Sequence, residues 1–425
     1  MTKQRLGRSG RTRRAFLAGV GVSASVLAGC SADSGRSGGD GSGGDAGKNG
    51  VDGPTGTGTT GREGVSPSGN GGTRMESSGS TADSITVFHA GSLAPPMEAA
   101  GARFEERTGI RVNREAQGSV ASTRKITQQG RSADVLGVAD YRLLRDGVLP
   151  AFGGWYSIFA ANELTIAYTA DSTGASEVGP GNWWEVLTRE DVRFAHSDPA
   201  ADPNGYRSVM AMMLGAMDFR GRSLYGEDVY DALREQELVP ADTETALLGQ
   251  LRAGALDYAF EYASIRATED VRTVDLQPRV DLSREGSEFA RFYENAAVEA
   301  GGNTYVGAPI AYGITVPSVA NAPEAGRRFV EFVLGEAGDR ITDETGFTPI
   351  DPAIVPRSAR QATPEAILEV AEPRRSLGSL ALDVGHRGRP IGPRRPTHRR
   401  GHPGTSSRRH ESLTPMHSND LRDGR

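Results

Sequence analysis

Two serines in the first part of the folded region follow a glycine at the end of a predicted strand and precede a helix. Ser92 comes after the strand over 85–89, and Ser119 after the strand over 111–116. In a parallel sheet such junctions share one edge, where ligands bind, and a helix start offers free N–H groups to an oxyanion. A serine at this position also caps a helix without binding anything. The two adjacent junctions leave open both an oxyanion site and simple capping.

The elements that carry these junctions alternate between strand and helix. Strands are predicted over 85–89, 111–116, 133–138, 163–169, 256–262 and 309–316. This alternation predicts an α/β fold in which right-handed crossovers join parallel strands. Asp202 precedes Pro203, which is typical of a helix start. The spacing of Met210, Met213 and Met217 along that helix indicates a core face rather than a metal site.

The charge of the chain is unevenly distributed. The 425 residues carry a formal net charge of −6, but residues 84–357 hold 25 basic and 40 acidic side chains, and the whole chain has three Lys. Such an acidic surface is typical of a halophilic protein, in which salt screens the self-repulsion; an ordinary acidic protein from a GC-rich genome is the alternative. No basic patch is available for phosphates, so nucleic acid is not expected as a partner. The single Cys excludes an internal disulfide framework and a paired-cysteine zinc site.

The first 83 residues predict export and anchoring. The stretch over 12–17, with Arg13 and Arg14, resembles a twin-arginine export signal, and the apolar run after it is too short to span a membrane. The run ends in a segment that resembles a lipobox, which implies cleavage before Cys30 and lipidation of its thiol. We predict a lipoprotein signal peptide over 1–29 and a Gly/Ser/Asp-rich flexible tether over 30–83, with a reach of roughly 40 Å. The mature protein is therefore expected on the extracellular face of the cell membrane.

Eight short segments of the folded region occur in an order that resembles a known family. They are Phe88-His89-Ala90-Gly91-Ser92-Leu93, Gly118-Ser119-Val120, Arg124-Lys125-Ile126-Thr127, Ala133-Asp134-Val135-Leu136, Ala139-Asp140-Tyr141, Asp202-Pro203-x-Gly205-Tyr206-Arg207-Ser208, Gly254-x-Leu256-Asp257-Tyr258 and Pro309-Ile310-x-Tyr312-Gly313-Ile314-Thr315. No single segment is decisive. Together, over about residues 84–355, they resemble the archaeal tungstate/molybdate-binding proteins of ABC transporters.

The resemblance implies a fold, an activity and partners. The fold is a two-lobed α/β fold like that of type II periplasmic binding proteins, in which each lobe is a mostly parallel sheet flanked by helices and two strands cross between the lobes. Lobe I takes up 84–170 and 309–357, and lobe II takes up 171–308. The protein is expected to be a monomeric solute-binding component of an ABC importer. It would capture tungstate or molybdate, without a cofactor, and deliver it to the permease and ATPase subunits.

The family's ligand positions fall on six residues of this chain. The resemblance implies that the oxyanion's oxygens bind to Ser92, Ser119, Ala139 and Tyr262, and that its tungsten or molybdenum centre binds to Asp202 and Glu244. Two carboxylates beside a dianion repel it unless they are protonated or bonded to something positive. A hexavalent metal centre accepts extra oxygen ligands and the sulfur of sulfate does not, so the carboxylates would complete six-fold coordination. Sulfate or phosphate as the ligand is the alternative.

Two parts of the chain depart from the family pattern. Glu261 stands where an aliphatic residue is usual, and we interpret it as a solvated outer position rather than an extra ligand. Ala263 stands where the family has a basic residue before Ser264. Residues 358–425 match nothing and hold thirteen Arg. They predict a disordered basic tail or, as the alternative, a stretch translated out of frame after a shift near 356–375.

An enzyme is not expected from this sequence. The folded region has no Ser/His/Asp order and no Walker loop, and its only histidines are His89 and His196. An adhesion or structural role would not need two serine junctions facing Asp202. Tungstate and molybdate are tetrahedral dianions of nearly the same size, so the sequence does not separate them.

Overall fold

The computed structural model describes residues 82–383, which form an α/β fold. The predicted signal peptide over 1–29, nearly all of the tether over 30–83 with Cys30, and residues 384–425 lie outside this part. Within residues 82–383, no helix is long and apolar enough to cross a membrane.

The described chain contains fifteen strands and eleven α-helices. The strands are β1 (Ser84–Ala90), β2 (Arg111–Gln117), β3 (Val135–Val138), β4 (Ser157–Ala161), β5 (Leu164–Tyr168), β6 (Phe194–Ala195), β7 (Tyr258–Tyr262), β8 (Arg272–Asp275), β9 (Ala297–Ala300), β10 (Asn303–Val306), β11 (Ala311–Thr315), β12 (Thr348–Pro356), β13 (Ala371–Arg374), β14 (Ser376–Leu377) and β15 (Leu380–Ala381). The helices are α1 (Ala94–Thr108), α2 (Ser119–Thr127), α3 (Trp183–Leu187), α4 (Pro203–Ala216), α5 (Glu227–Gln236), α6 (Thr245–Arg252), α7 (Ile265–Thr268), α8 (Ser287–Tyr293), α9 (Pro323–Leu334), α10 (Glu336–Glu344) and α11 (Glu365–Val370).

Seven strands form the large sheet, in the order β13-β12-β4-β11-β3-β1-β2. β1 pairs in parallel with β2 and β3, as expected for strands joined through α1 and α2. β11 is antiparallel to β3 and β4, and β12 is antiparallel to β4. The carboxyl ends of β1, β2 and β3 therefore lie side by side at one edge of this sheet.

Four strands form the small sheet, in the order β6-β7-β5-β8. β7 is parallel to β6 and antiparallel to β5. All five residues of β7 are buried. Phe260 on one face packs in the main core, and Ala259 on the other face packs beside Leu247 and Leu248 of α6. β9 and β10 form a separate antiparallel hairpin.

The predicted α/β class is confirmed, with two corrections to its detail. The sheets are mixed rather than mostly parallel. In the large sheet β11 runs antiparallel to β3 and β4, and β12 runs antiparallel to β4; in the small sheet β5 runs antiparallel to β7 and β8. The expected end of the first lobe at residue 170 is also wrong for β5, which pairs with β7 and β8 in the small sheet. β4 was not predicted; it completes this part of the large sheet before the chain passes to the small sheet at Asn162 and Glu163.

α1 shows how the sequence sets the position of a strand-end loop. Pro95 and Pro96 lie in its first turn, where a missing N–H costs nothing. Gly109, with a φ of 74°, ends the helix and donates its N–H to the carbonyl of Glu105. Phe104 is buried edge-on against Phe329 of α9, with ring centroids 5.2 Å apart. These contacts fix α1 with its first turn directly after Ser92.

The folded region continues past Arg357, its predicted end. β13 pairs in parallel with β12, and Ile367 and Leu382 are fully buried. The hydroxyl of Tyr156 donates to the carbonyl of Leu382 at 2.5 Å. The predicted disordered tail over 358–425 is therefore wrong for 358–383, because an Arg-rich average composition hid these apolar residues. The contacts also argue against a frame shift before residue 383.

Candidate functional site

The strand-end loops of the large sheet bring Ser92, Ser119 and Ala139 to one edge. Ser119 is fully buried at the start of α2, and its hydroxyl accepts a hydrogen bond from the N–H of Ala139 at 2.9 Å. Ser92 is buried before α1, with its hydroxyl 3.1 Å from that of Tyr312. The hydroxyl hydrogen of Ser119 is thus free to donate to a further acceptor.

A backbone segment before α4 covers the start of α2. The N–H groups of Val120 and Ala121 donate to the carbonyl oxygen of Ala201, at 3.1 and 3.2 Å. A Cβ on Gly118 would lie 2.4 Å from that oxygen and 3.1 Å from the Cβ of Asp202. The loop that holds Ser119 therefore touches the loop that holds Asp202, although α2 belongs to the large sheet and α4 packs on β7 of the small sheet.

Asp202 and Glu244 precede α4 and α6, and both are 1% exposed. Asp202 accepts a hydrogen bond from the hydroxyl of Ser197 at 2.7 Å. Neither carboxyl oxygen of Glu244 receives a hydrogen bond from the described part of the chain. A Cβ on Gly91 would lie 3.2 Å from Oε1 of Glu244. One carboxyl group therefore faces the loop of Ser92, and the other lies beside the loop of Ser119.

The electrostatics of this pair are unfavourable for two free carboxylates. Burial raises the pKa of Asp202 well above its usual value, and the charge of Glu244 raises it further. The hydrogen bond from Ser197 and the charge of Arg207 act in the opposite direction. Buried acceptor oxygens of this kind favour an electron-poor partner.

Arg207, in the second turn of α4, connects the site to the end of β7. Its Nη1 donates to the hydroxyl of Tyr262 at 2.8 Å. Burial raises the pKa of Tyr262 well above its usual value, and the charge of Arg207 opposes this shift. The Tyr262 hydroxyl therefore keeps its proton and can donate it to an anion. The rings of Tyr262 and Tyr312 have centroids 6.0 Å apart, and the hydroxyl of Tyr312 lies 3.1 Å from that of Ser92. Tyr312 therefore contacts both Tyr262 and Ser92.

Glu261 is fully buried rather than solvated, so that prediction is wrong. It lies two residues after Ala259, on the face of β7 that α6 covers. Burial raises the pKa of Glu261 well above its usual value, the charge of Glu244 adds to the shift, and the N–H of Tyr262 opposes it. The prediction failed because β7 is a central strand with both faces covered, so alternation along it marks no exposed face.

The six predicted ligand residues lie in one buried region of the structure, whereas Cys30 lies outside the described residues. Sequence reasoning missed Asp140, Arg207 and Tyr312 as parts of this region. Their signal was present, since all three fall inside the eight segments that carried the resemblance. Among residues 82–383, no group of three or more His, Cys, Asp or Glu side chains is placed to hold a metal ion.

The histidines of the described region serve as structural groups. His89 and His196 are both buried, and Nδ1 of each lies within hydrogen-bonding distance of a backbone carbonyl, that of Ala90 at 2.8 Å and that of Ser197 at 2.7 Å. Burial lowers the pKa of His89. Neither ring is paired with a serine hydroxyl, as a nucleophilic serine would require.

Comparisons with known sequences agree on one family. A model of bacterial extracellular solute-binding proteins matches residues 85–348. An uncharacterized solute-binding protein of Methanoculleus marisnigri is 37% identical over 68% of this chain and 86% of its own length. The molybdate/tungstate-binding protein WtpA of Pyrococcus abyssi is 36% identical over 64% of this chain and 86% of its own. The structure of the periplasmic molybdate-binding protein of Azotobacter vinelandii aligns with a TM-score of 0.44 at 18% identity, over 62% of this chain and 98% of that one.

Proposed function

Because this chain belongs to the family of bacterial extracellular solute-binding proteins, we propose that it captures tungstate or molybdate and delivers it to the permease and ATPase subunits of an ABC importer. The observation that carries this proposal is the burial of Asp202 beside Glu244, whose two carboxyl oxygens are unpaired within the described residues. The name of the relative from Pyrococcus abyssi supports the same ligand class. The relatives found are solute-binding proteins, and the transport role requires no chemical step.

The oxygens of the bound anion are held by hydrogen-bond donors in this proposal. The hydroxyls of Ser92 and Ser119 come from the large sheet, where the N–H of Ala139 orients the Ser119 hydroxyl, and the hydroxyl of Tyr262 comes from the small sheet. All four residues are buried, so their hydrogen bonds do not compete with bulk water. Donors on both sheets would make capture depend on the two sheets being close together.

The carboxyl groups of Asp202 and Glu244 approach the metal centre of the anion. A sulfate or phosphate dianion has no site for an added oxygen ligand, so these groups would only repel it. Tungsten and molybdenum in the hexavalent state are hard centres that accept carboxylate oxygens. Attraction to the metal and repulsion of the other anions together give the selectivity. Sulfate or phosphate remains the alternative ligand, favoured only if the carboxyl groups do not reach the anion.

Calorimetric titration of the full-length protein in molar KCl tests this proposal with tungstate, molybdate, sulfate and phosphate as separate probes. We expect tight one-to-one binding of the first two and no heat from sulfate or phosphate. Sulfate or phosphate binding as tightly as tungstate would contradict the carboxylate argument. A folded protein that binds none of the four would contradict the whole proposal.

We also propose that the protein is exported by the twin-arginine route and anchored by a lipid on Cys30, as a monomer tethered outside the membrane. The twin arginines, the lipobox-like segment and the Gly-rich tether support this arrangement. Replacing Cys30 with Ala should release the protein into the medium, and replacing both Arg13 and Arg14 with Lys should retain it inside the cell. Membrane attachment of the Cys30→Ala protein would contradict the lipid anchor.

The acidic composition of residues 84–357 further supports a protein that works at high salt. Screening of the self-repulsion by salt should raise the free energy of unfolding as KCl increases. Thermal unfolding in 0.1 M and molar KCl measures this effect. A melting temperature that does not rise with KCl would contradict the halophilic interpretation.

A further inference from the structure

Asp140 lies directly after Ala139 and accepts hydrogen bonds from groups of both sheets. On the large-sheet side, Nε of Arg142 donates to Oδ1 at 2.9 Å and Nη2 donates to Oδ2 at 2.6 Å. On the other side, the hydroxyl of Tyr206 in α4 donates to Oδ2 at 2.8 Å. Nη2 of Arg207 lies 3.5 Å from the same oxygen. One carboxylate therefore joins a strand-end loop of the large sheet to a helix of the small sheet.

Asp140 carries a full negative charge in this position. Burial alone would raise the pKa of Asp140, but the charges of Arg142 and Arg207 and the hydrogen bonds from Arg142 and Tyr206 hold the pKa well below its usual range. Hydrogen bonds to a charged group are stronger than those between neutral groups. The hydrogen bond from the Tyr206 hydroxyl to the Asp140 carboxylate is therefore strengthened by the charge of Asp140.

The β9–β10 hairpin contacts both Tyr206 and Arg142. The ring of Tyr206 stacks on that of Tyr305 in β10, with centroids 4.1 Å apart and planes 9° from parallel. Nη1 of Arg142 donates to the carbonyl of Val306 at 2.6 Å. The large sheet thus holds both α4 and the hairpin through the pair of Asp140 and Arg142.

Asp140, Tyr206 and Arg207 lie close in sequence to the proposed ligand residues. Asp140 follows Ala139, while Tyr206 and Arg207 lie on the helix that begins after Asp202. Nη1 of Arg207 donates to the hydroxyl of Tyr262. Separation of Asp140 from Tyr206 would therefore move the donors of the large sheet away from the carboxyl groups and Tyr262.

We propose that Asp140 and Tyr206 form a closure latch, in which the carboxylate and the hydroxyl hold the two walls of the oxyanion site together and slow the release of the anion. Both are positioning residues, because they act through Ala139, Arg207 and the start of α4. This inference rests on the proposed function, whose site it completes. It adds two residues that determine how tightly the anion is held without touching it.

Tyr206→Phe is the test variant, because it removes the hydroxyl and keeps the ring that stacks on Tyr305. The matched control is Tyr225→Phe, since the Tyr225 hydroxyl is also buried and donates at 2.8 Å, but to the carbonyl of Met212 on α4 itself. Tungstate affinity is measured by calorimetry on the full-length protein, and the melting temperature is measured without ligand. We expect Tyr206→Phe to bind tungstate about tenfold more weakly, and Tyr225→Phe to bind it as the wild type does.

The variant Asp140→Asn provides a second test, again by the affinity for tungstate. It should weaken tungstate binding by more than tenfold, and adding Tyr206→Phe to it should weaken binding by less than tenfold further, because the charge that strengthens the hydrogen bond from Tyr206 is already removed. The proposal is overturned if Tyr206→Phe binds tungstate as tightly as the wild type. It is also overturned if the lost affinity comes with an equal loss of unfolding free energy in the ligand-free protein, since that indicates a merely structural contact. A wild type that binds neither tungstate nor molybdate refutes the proposed function instead.

Discussion

Gly118 lies against Ala201 so closely that a Cβ on the glycine would stand 2.4 Å from the carbonyl oxygen of Ala201. The same oxygen accepts hydrogen bonds from the N–H groups of Val120 and Ala121, at the start of α2. This approach joins the loop of Ser119 to the segment before Asp202. A φ of −56° at Gly118 is accessible to any residue, so the backbone conformation does not require a glycine. The glycine is needed because it has no side chain to clash with Ala201.

Gly118→Ala should therefore weaken oxyanion binding. The added methyl group pushes the Ala201 segment away and separates Ser119 from Asp202, at a cost of about 1–3 kcal/mol. We expect tungstate affinity in calorimetry to fall about tenfold. Gly181→Ala is the matched control, since a Cβ on Gly181 meets nothing within 4 Å. Equal affinities for the two variants would show that the close approach has no role in binding.

The C-terminal extension of the folded region gives a prediction for stability. A chain that ends at Arg357 loses the buried side chains of Ile367, Leu377, Leu380 and Leu382. Each buried aliphatic side chain contributes about 1.5–3 kcal/mol, or about 6–12 kcal/mol for the four, and the conformational entropy of the ordered segment offsets part of this gain. The free energy of unfolding should therefore fall by on the order of 5 kcal/mol. Chemical denaturation of this chain, beside one that ends at Asp383, measures the difference. Equal stability of the two chains would contradict the packing of residues 358–383.

Asp281 should make the stability depend on pH. Burial raises the pKa of Asp281 to about 6, and the charge of Glu163 adds to this, against the hydrogen bonds from Ser283. Because this folded-state value exceeds that of an unfolded aspartate, near 4, the native protein binds the proton more tightly, and the free energy of unfolding falls as pH rises from about 4 through about 6.

Asp281→Asn should remove this loss, because Asn still accepts the N–H of Ser283, which donates to Oδ1 at 2.8 Å. We expect the variant to be more stable than the wild type by about 3 kcal/mol at pH 8. The difference should disappear near pH 4, where both side chains are neutral. Urea denaturation at the two pH values provides the measurement, and a difference that does not change with pH would contradict the assigned titration.

The sequence was sufficient for the elements that carry the serine loops. β1, α1, β2, α2 and β3 combine buried apolar strands with well-marked helix starts, so their order and the edge they share could be predicted. β4 and the β9–β10 hairpin could not, because β4 is too short and too uniformly apolar to show a period, and the hairpin is half exposed. The crossing into the small sheet was misplaced as a result.

The candidate site was predicted in its ligand residues but not in the groups that hold them. Arg207 and Asp140 are charged residues that the sequence alone would place at the surface. They are buried because Asp140 accepts hydrogen bonds from Arg142 and Tyr206, and Arg207 donates to Tyr262. Pairing between distant segments leaves no local pattern. Glu261 was also predicted at the surface, but it is buried although its carboxyl oxygens have no hydrogen-bond partner within the described residues.

The coordination of the bound metal tests the central claim most directly. X-ray absorption at the tungsten edge should show six oxygen neighbours for tungstate bound to the wild-type protein, against four in free tungstate, because Asp202 and Glu244 each add one. The Asp202→Asn, Glu244→Gln double variant, which keeps the shape of both side chains, should return bound tungstate to four neighbours at saturating concentration. Four oxygen neighbours in the wild-type complex would contradict the claim that these two carboxyl groups bind the metal.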